Sequence, residues 1–131
     1  MSKKVILAVD DERIVLDSIK RQLKEAFGDE YSYEIAESAT EALELLEELQ
    51  EEHREVVLII TDFIMPTMNG DDFLRKAHGK LPQTAKIILT GQADEKALSK
   101  IKQEVNLLAL LSKPWTEEQL ISTIKKGIKS Y

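Results

Sequence analysis

The sequence predicts an α/β fold in which five parallel strands form one doubly wound sheet with helices on both faces. Short apolar runs, typical of buried strands, alternate along the chain with stretches that have helical spacing. The links between them are short, which favours right-handed crossovers between parallel strands. Because 131 residues is a common size for one domain, we expect a single domain over residues 1–131.

Five segments have the composition of strands. Four of them are nearly continuous apolar runs, which suit strands covered on both faces: Val5–Val9, Val56–Ile60, Ile87–Leu89 and Leu107–Leu111. The segment Tyr31–Ile35 instead alternates apolar and polar residues, as expected of a strand that is covered less completely. We therefore expect this second strand to lie at an edge of the sheet.

The five stretches between and after these runs have the spacing of amphipathic helices. The first has an apolar face that ends near Gly28, a residue type that commonly terminates helices. The second begins near Ser38 or Thr40 and carries a glutamate-rich face that we interpret as solvated surface. The other three are expected over Asn69–His78, from Ala93 to about Glu104 and from Thr116 to about Lys129. Thr116 precedes two glutamates, which is the pattern of an N-cap.

Composition argues against several classes of function. The net charge of −6 disfavours general nucleic-acid binding, which needs a basic surface. No apolar run is long enough to cross a bilayer or to form the core of a signal peptide. Without cysteine there is no disulfide, thiol nucleophile or thiolate metal site. We expect a cytoplasmic protein that binds neither nucleic acid nor membranes directly.

The residues that suggest chemistry follow the predicted strands. Asp10 and Asp11 come after the first strand. Asp62 follows the third strand, Thr90 follows the fourth and Lys113 follows the fifth. In open α/β sheets, binding sites form at these carboxyl ends. Converging carboxylates repel one another without a cation, and their oxygen ligands suit Mg²⁺. Together with a lysine and a hydroxyl group, they could stabilise a phosphoryl group during transfer.

These residues lie in sequence blocks that resemble the receiver domains of two-component response regulators, the CheY-like superfamily. The blocks are Val9–Glu12, Thr61–Pro66 with Asn69–Gly70, Ile88–Gly91 and Ser112–Pro114. They occur in the family's order and cover nearly the whole chain. The resemblance implies a single receiver domain with the flavodoxin-like strand order 2-1-3-4-5.

The resemblance also implies the roles of the acidic residues. Asp62 would be the phosphoacceptor, and its donor would be a phosphohistidine on a sensor histidine kinase or a phosphotransfer protein. Asp11, Asp62 and the backbone carbonyl of Ile64 would bind Mg²⁺ directly, with Mn²⁺ as a possible substitute. Asp10 would act on the metal largely through water. The protein would therefore be a phosphoryl-accepting switch and not an enzyme.

The remaining implied roles concern signal transmission. Thr90 would hydrogen-bond a phosphoryl oxygen, and Lys113 would pair with Asp62 or with its phosphoryl group. The Lys113–Pro114 peptide bond would be cis, which proline permits. A downstream protein or a fused output domain would bind the face formed by the fourth helix, the fifth strand and the fifth helix.

The sequence departs from the family pattern at positions that affect signalling and phosphoryl lifetime. Leu110 stands where the family usually has Tyr or Phe, so we hypothesise that signalling depends on the loop after the fourth strand and on the fourth helix. Ile64 and Gln92 lie two residues beyond Asp62 and Thr90, respectively. In the family, the residues at these two positions affect the rate at which water attacks the acyl phosphate. Because Ile64 is bulky and cannot orient water, we predict a long-lived phosphoprotein.

Other functions would need features that differ from those of this sequence. A phosphatase of the haloacid dehalogenase type would have a second aspartate where Ile64 stands, and it would need a cap domain. A flavin-binding module would carry a Ser-, Thr- and Gly-rich phosphate loop in place of Asp10 and Asp11. A receiver-like interaction module that signals without phosphorylation stays open as the alternative.

Three further side chains have mainly structural interpretations. His53 and His78 fall within or beside helices, away from the strand ends, and are expected at the surface. Trp115 is expected to pack near the start of the fifth helix, with participation in a partner surface as the other interpretation.

Overall fold

The computed structural model describes residues 3–91, 95–105 and 107–129, except for the side chains of Glu95, Ala97 and Lys129. The strands are β1 (Val5–Val9), β2 (Ser32–Ala36), β3 (Val56–Asp62), β4 (Ala85–Thr90) and β5 (Ala109–Ser112). The helices are α1 (Arg13–Phe27), α2 (Ala39–Glu51), α3 (Gly70–Lys80), α4 (Glu95–Val105) and α5 (Glu117–Lys129), with a 3₁₀ turn at Gly28–Glu30. The strands pair in parallel in the order β2-β1-β3-β4-β5, which confirms the predicted fold class and strand order.

The sheet separates two hydrophobic clusters. Alternate residues of a strand point to opposite faces, so Leu7 of β1 joins the cluster beneath α2, α3 and α4. Its neighbour Ile6 joins the cluster beneath α1 and α5. Because both faces of the central strands are covered, an uninterrupted apolar sequence is required there. Within the described ranges, no helix has the length and apolar character needed to cross a membrane.

The two edge strands differ from one another. β2 lies at one edge, as its alternating sequence predicts, and Tyr33 is buried while Glu34 is partly exposed. β5 lies at the other edge, and each of its residues is at least partly exposed. The expectation that its apolar run is covered on both faces was therefore wrong. An edge position leaves one side of the strand without a neighbour, which composition alone does not reveal.

Three helices begin or end at residues that the sequence identified as caps or stops. Gly28 adopts a φ of +58° just after α1, which favours glycine. The Ser38 side chain accepts a hydrogen bond from the backbone N–H of Glu41 at the start of α2. Thr116 and Gln119 form a capping box, because each side-chain oxygen accepts a hydrogen bond from the other's backbone N–H.

The end of α3 and the start of α4 bear on the helix bounds predicted from the sequence. α3 extends to Lys80, beyond the expected end at His78. Proline at position 82 explains why it does not continue much further. The expected start of the fourth helix at Ala93 lies outside the described residues, as does Gln92.

The histidines and the tryptophan have distinct environments. His53 is exposed, as expected. His78 is only partly exposed, and its Nδ1 is buried without a hydrogen-bond partner among the described residues, so its expected surface placement is only partly correct. Burial, followed by the nearby charge of Lys86, lowers the pKa of His78. Trp115 packs against the α1–α5 core cluster, and its Nε1 donates to Gln22 Oε1 at 3.1 Å.

Lys86 is a fully buried lysine in β4, with 0% of its surface exposed. Its ammonium group donates to the carbonyl oxygens of Leu81 at 3.0 Å and Thr84 at 2.8 Å. These bonds satisfy backbone acceptors in the connection between α3 and β4. Burial lowers the pKa of Lys86 to about 8, because the charged form loses hydration.

The buried Lys86 is expected to make the protein more stable as the pH rises from about 8 to about 10. In this range the unfolded chain binds more protons than the folded chain, so the free energy of unfolding should rise by about 2 kcal/mol through Lys86. Urea unfolding across this range, compared with Lys86→Met, measures the contribution. Identical pH slopes in the two proteins would contradict it.

Candidate functional site

The carboxyl end of the sheet brings together Asp10 after β1, Asp62 at the end of β3 and Lys113 after β5. Lys113 Nζ lies 3.0 Å from Asp10 Oδ2 and 3.3 Å from Asp62 Oδ1. Asp10 is 0% exposed and Asp62 is 8% exposed. One partly buried ammonium group therefore bridges two buried carboxylates. The ion pair predicted for Lys113 was with Asp62, whereas its shorter contact is with Asp10.

Backbone hydrogen bonds hold the two buried carboxylates in place. Asp10 N donates to the carbonyl oxygen of Ala36, which ties the end of β1 to β2. Asp10 Oδ1 accepts from the backbone N–H of Glu12 at 2.8 Å, so the aspartate also shapes the turn into α1. Asp62 Oδ1 accepts from Phe63 N at 2.9 Å. Each carboxylate is thus oriented by the turn that follows its strand.

The charges at this site are not balanced by the protein alone. Burial raises the pKa of Asp62, and repulsion from Asp10 adds to the effect, while Lys113 opposes both. Burial would lower the pKa of Lys113, but its hydrogen bonds and charge interactions with Asp10 and Asp62 outweigh burial and raise that pKa. The net result disfavours the ionised form of Asp62 in the absence of a further cation.

The third carboxylate, Asp11, completes a group of oxygens that fits a divalent cation. Asp10, Asp11 and Asp62 each offer one oxygen, and these oxygens all lie within 4.8 Å of one another. Asp11 is exposed, so a cation at this group could keep water ligands. Three carboxylates and the ammonium of Lys113 leave two formal negative charges, which a divalent cation would neutralise. An all-oxygen set with access to water fits Mg²⁺ or Mn²⁺.

Thr90 and Lys113 approach the cluster from the ends of the neighbouring strands β4 and β5. Thr90 is buried at the end of β4, and its carbonyl oxygen accepts a hydrogen bond from Lys113 N at 2.9 Å. The Lys113–Pro114 peptide bond is cis, which confirms the expectation for this bond. Leu110 lies farther back in β5, where it is partly buried against the cluster beneath α2, α3 and α4. The carboxyl ends of β1, β3, β4 and β5 therefore carry the five polar side chains from which the sequence predicted chemistry: Asp10, Asp11, Asp62, Thr90 and Lys113.

Residues 63–69, which we call the β3–α3 loop, stay close to Asp62. Gly70 N donates to the carbonyl oxygen of Phe63 at 2.7 Å. A Cβ atom on Gly70 would lie only 2.1 Å from the backbone oxygen of Asp62. Glycine is required because α3 begins against the backbone of the candidate acceptor. Ile64, within the loop, is 53% exposed beside this site.

Gly70→Ala is expected to destabilise the fold by about 2 kcal/mol, because its Cβ must displace the backbone of Asp62. Gly79→Ala is the matched control, since it lies in the same helix and its Cβ would meet nothing within 4 Å. The control should be neutral or stabilising by up to about 1 kcal/mol. Urea unfolding of both variants measures the difference. Equal stabilities of the two variants would show that the backbone of Asp62 can make room for a Cβ atom at Gly70.

One side-chain contact at this site was not predicted from the sequence. Asn69 Oδ1 accepts a hydrogen bond from Met65 N at 3.2 Å, across the β3–α3 loop. An asparagine just before a helix is ordinarily interpreted as an N-cap, and Asn69 does occupy that position. The direction of its side chain depends on the conformation of the loop, for which the sequence carries no clear signal.

Comparison with known proteins identifies relatives of the whole fold. The family model described as "Response regulator receiver domain" matches residues 6–125. The chain resembles the signal receiver domain of an HD domain-containing protein from Pseudomonas fluorescens, with a TM-score of 0.85 and 31% identity over 98% of this chain and 96% of that one. It also resembles a CheY-like receiver domain protein from Methanospirillum hungatei, with a TM-score of 0.83 and 32% identity over 98% and 96% of the two chains.

A curated relative is much longer than this chain. The sequence is 28% identical to the hydrogenase transcriptional regulatory protein HoxA of Cupriavidus necator, over 95% of this chain and 24% of that protein. The chain therefore spans about a quarter of that relative's length. The likeness concerns one domain of the longer protein.

Proposed function

This chain belongs to the family of response regulator receiver domains of two-component systems, and we propose that Asp62 accepts a phosphoryl group in a Mg²⁺-dependent reaction. The family establishes a signalling domain rather than a conventional enzyme. The observation that carries the more specific proposal is the convergence of Asp10, Asp11 and Asp62 within 4.8 Å, with Lys113 bridging two of them. A cluster of this charge and composition suits both a divalent cation and a phosphoryl group.

In the proposed reaction, a carboxylate oxygen of Asp62 attacks the phosphorus of a phosphohistidine. A new O–P bond forms and the P–N bond breaks, with its electron pair returning to the ring nitrogen, and the donor leaves as neutral imidazole because its other ring nitrogen already carries a proton. Asp11, Asp62 and the Ile64 carbonyl would hold Mg²⁺, with Asp10 acting through water, and the bound ion would supply positive charge for the phosphoryl oxygens. Lys113 Nζ lies 3.3 Å from Asp62 Oδ1, so after transfer its ammonium group can form an ion pair with the phosphoryl group on Asp62.

The raised pKa of Asp62 bears on its role as the nucleophile. Burial and Asp10 disfavour the carboxylate, and only the carboxylate attacks phosphorus. A cation bound beside Asp62 therefore favours the reactive form as well as the transition state. Thr90, buried at the end of β4, is the proposed hydrogen-bond donor to a phosphoryl oxygen.

We further propose that the face of α4, β5 and α5 binds the downstream partner, either a separate protein or a fused output domain. β5 is an edge strand with partly exposed residues, and Leu108 beside it is 37% exposed. Leu110 replaces the aromatic residue usual in the family, so the signal would depend on movements of the β4–α4 connection and α4. The donor would be a sensor histidine kinase or a phosphotransfer protein in the cytoplasm.

Ile64→Asn is expected to shorten the lifetime of the phosphoprotein about tenfold, because an amide can orient the attacking water and isoleucine cannot. Ile64 is 53% exposed, so the replacement should not disturb the core. The decay of the phosphorylated mass after removal of the donor provides the measurement. Ile64→Val serves as the apolar control and should retain the long lifetime. Equal decay of the Asn variant and the wild type would rule out this explanation.

The experiment that tests the proposed function is intact-protein mass spectrometry after incubation with acetyl phosphate. With Mg²⁺ present, the protein should gain one phosphoryl group, and excess EDTA should prevent the gain. Calorimetric titration with Mg²⁺ alone tests the metal site separately. If neither the gain nor the binding is observed, the alternative is favoured, namely a receiver-like interaction module that acts without phosphorylation.

A further inference from the structure

The β3–α3 loop contains a strained turn close to the candidate site. Thr67 has a φ of +73°, a conformation that is rare for a β-branched residue. Met68 N donates to the carbonyl oxygen of Pro66 at 2.8 Å, so residues 66–68 form a three-residue γ-turn. Such a conformation persists only where surrounding contacts hold it. The conformation of Thr67 must therefore be held by contacts on either side of the turn.

Three contacts fix the loop on either side of the turn. Gly70 N binds the carbonyl oxygen of Phe63 at 2.7 Å and closes the base of the loop. The side chain of Met65 is buried in the core cluster beneath α2, α3 and α4. Asn69 Oδ1 accepts from Met65 N at 3.2 Å, and it is this bond that restrains a peptide group inside the loop.

The Asn69 side chain forms this bond instead of the one that its position favours. Asn69 is the N-cap residue of α3, where asparagine usually accepts a hydrogen bond from the first turn of the helix. Its side chain makes no such capping bond here. Forgoing the cap costs helix stability, typically about 1 kcal/mol. The side chain is instead directed back across the loop to Met65.

We infer that Asn69 is a positioning residue that sets the direction of the Ile64 backbone carbonyl for metal binding. The carbonyl of Ile64 and the N–H of Met65 belong to the same planar peptide group. In a trans peptide these two groups point in opposite directions, so holding the N–H also fixes the carbonyl. This inference rests on the proposed function, in which the Ile64 carbonyl is a Mg²⁺ ligand.

The restraint has a thermodynamic consequence. If the Ile64–Met65 peptide were free to rotate, metal binding would have to order it, and the affinity would fall by the cost of that ordering. Partners that orient a metal ligand typically contribute tenfold to a hundredfold in affinity. Asn69 contacts neither the metal nor the phosphoryl group in this arrangement, and it acts only through the peptide that it holds.

Three substitutions separate positioning from helix capping. Asn69→Asp keeps an acceptor oxygen at the same distance from the backbone, so it can still reach Met65 N. Asn69→Ser is a good N-cap, but its hydroxyl is one bond shorter and cannot span the loop. Asn69→Ala provides neither function. A capping role would spare both Asp and Ser, whereas a positioning role spares Asp alone.

The test uses two measurements that need no phosphoryl donor. Calorimetric titration with Mg²⁺ at about 0.15 M ionic strength, which screens the extra charge of the Asp variant, should give a Kd raised about tenfold in the Ser and Ala variants. The Asp variant should bind within about threefold of the wild type or more tightly. Amide hydrogen exchange of the metal-free proteins should show Met65 protected in the wild type and Asp variant, and unprotected in the other two.

Two results would overturn the inference. A Ser variant that binds Mg²⁺ as tightly as the wild type would assign Asn69 to helix capping and leave the proposed function intact. Failure of the wild type itself to bind Mg²⁺ would overturn both the inference and the metal-dependent function. Urea unfolding of each variant keeps the comparison within folded proteins, so loss of the fold is not mistaken for loss of a ligand.

Discussion

Asp62→Asn is expected to abolish the Mg²⁺-dependent gain of a phosphoryl group. The replacement has the same shape, but an amide oxygen lacks the charge needed to attack phosphorus. The amide oxygen can still accept the hydrogen bond that Phe63 N donates to Asp62 Oδ1, so the end of β3 should keep its conformation. Loss of the reaction in a protein with an intact fold would identify Asp62 as the acceptor.

The same substitution is expected to make the metal-free protein more stable. Burial and Asp10 raise the pKa of Asp62, which means that the ionised carboxylate is disfavoured in the folded state. A neutral amide removes this penalty, so at about pH 7 the free energy of unfolding should rise. An acid whose folded-state pKa is raised makes the folded protein less stable as the pH rises through its ionisation. Saturating Mg²⁺ should abolish or reverse the gain.

Mass spectrometry and urea unfolding, each with and without Mg²⁺, test both parts of this prediction. Asp11→Asn is the comparison variant, because Asp11 is exposed and contributes charge without being the acceptor. It should weaken Mg²⁺ binding yet allow some phosphorylation at high metal concentration. Undiminished mass gain in Asp62→Asn would move the acceptor to another residue and remove the basis of the proposed function.

Lys113→Met is expected to have opposite effects on phosphorylation and on metal binding. Lys113 Nζ contacts both Asp10 and Asp62, so its removal deletes the fixed positive charge nearest the proposed phosphoryl group. Removing one preorganised charge of this kind typically slows a reaction about 100-fold to 1,000-fold. Mg²⁺ should bind about tenfold more tightly, because the same carboxylates are no longer shared with a competing cation.

Lys113→Arg separates charge from shape. It retains the positive charge, so Mg²⁺ affinity should stay near the wild-type value, while the planar guanidinium changes the position of the donors. The rate of mass gain with acetyl phosphate and the Kd for Mg²⁺ are the two quantities to compare. If Lys113→Met bound Mg²⁺ more weakly than the wild type, the lysine would be organising the carboxylates rather than competing for them.

The convergence of the site could be predicted because it depends on topology. The carboxyl ends of parallel strands share one edge of the sheet, so residues at those ends must approach one another. This rule correctly predicted that Asp10, Asp62 and Lys113 lie close together, although they come from segments far apart in the sequence. It did not determine how the lysine divides its contacts, since a difference of a few tenths of an ångström depends on side-chain packing.

Other features could not be predicted because they depend on neighbours that are distant in sequence. The apolar run at β5 is compatible with a central or an edge strand. It is an edge strand because it pairs with β4 on one side and, within the described part of the chain, with no strand on the other. Lys86 lies outside the apolar run of β4 and becomes buried because it reaches carbonyl oxygens after α3. Asn69 has the pattern of a cap, but the strained loop gives its side chain another partner.

The environment of Trp115 makes the protein suitable for optical study without a label. It is the single tryptophan of the chain, and it lies two residues beyond Lys113. Its indole N–H is bonded to Gln22 of α1 at 3.1 Å, and its ring is partly buried. Indole emission responds to solvent exposure and hydrogen bonding, so one fluorophore connects the charged end of β5 with the adjacent helix. Changes in its emission could therefore follow events at the acidic cluster in real time.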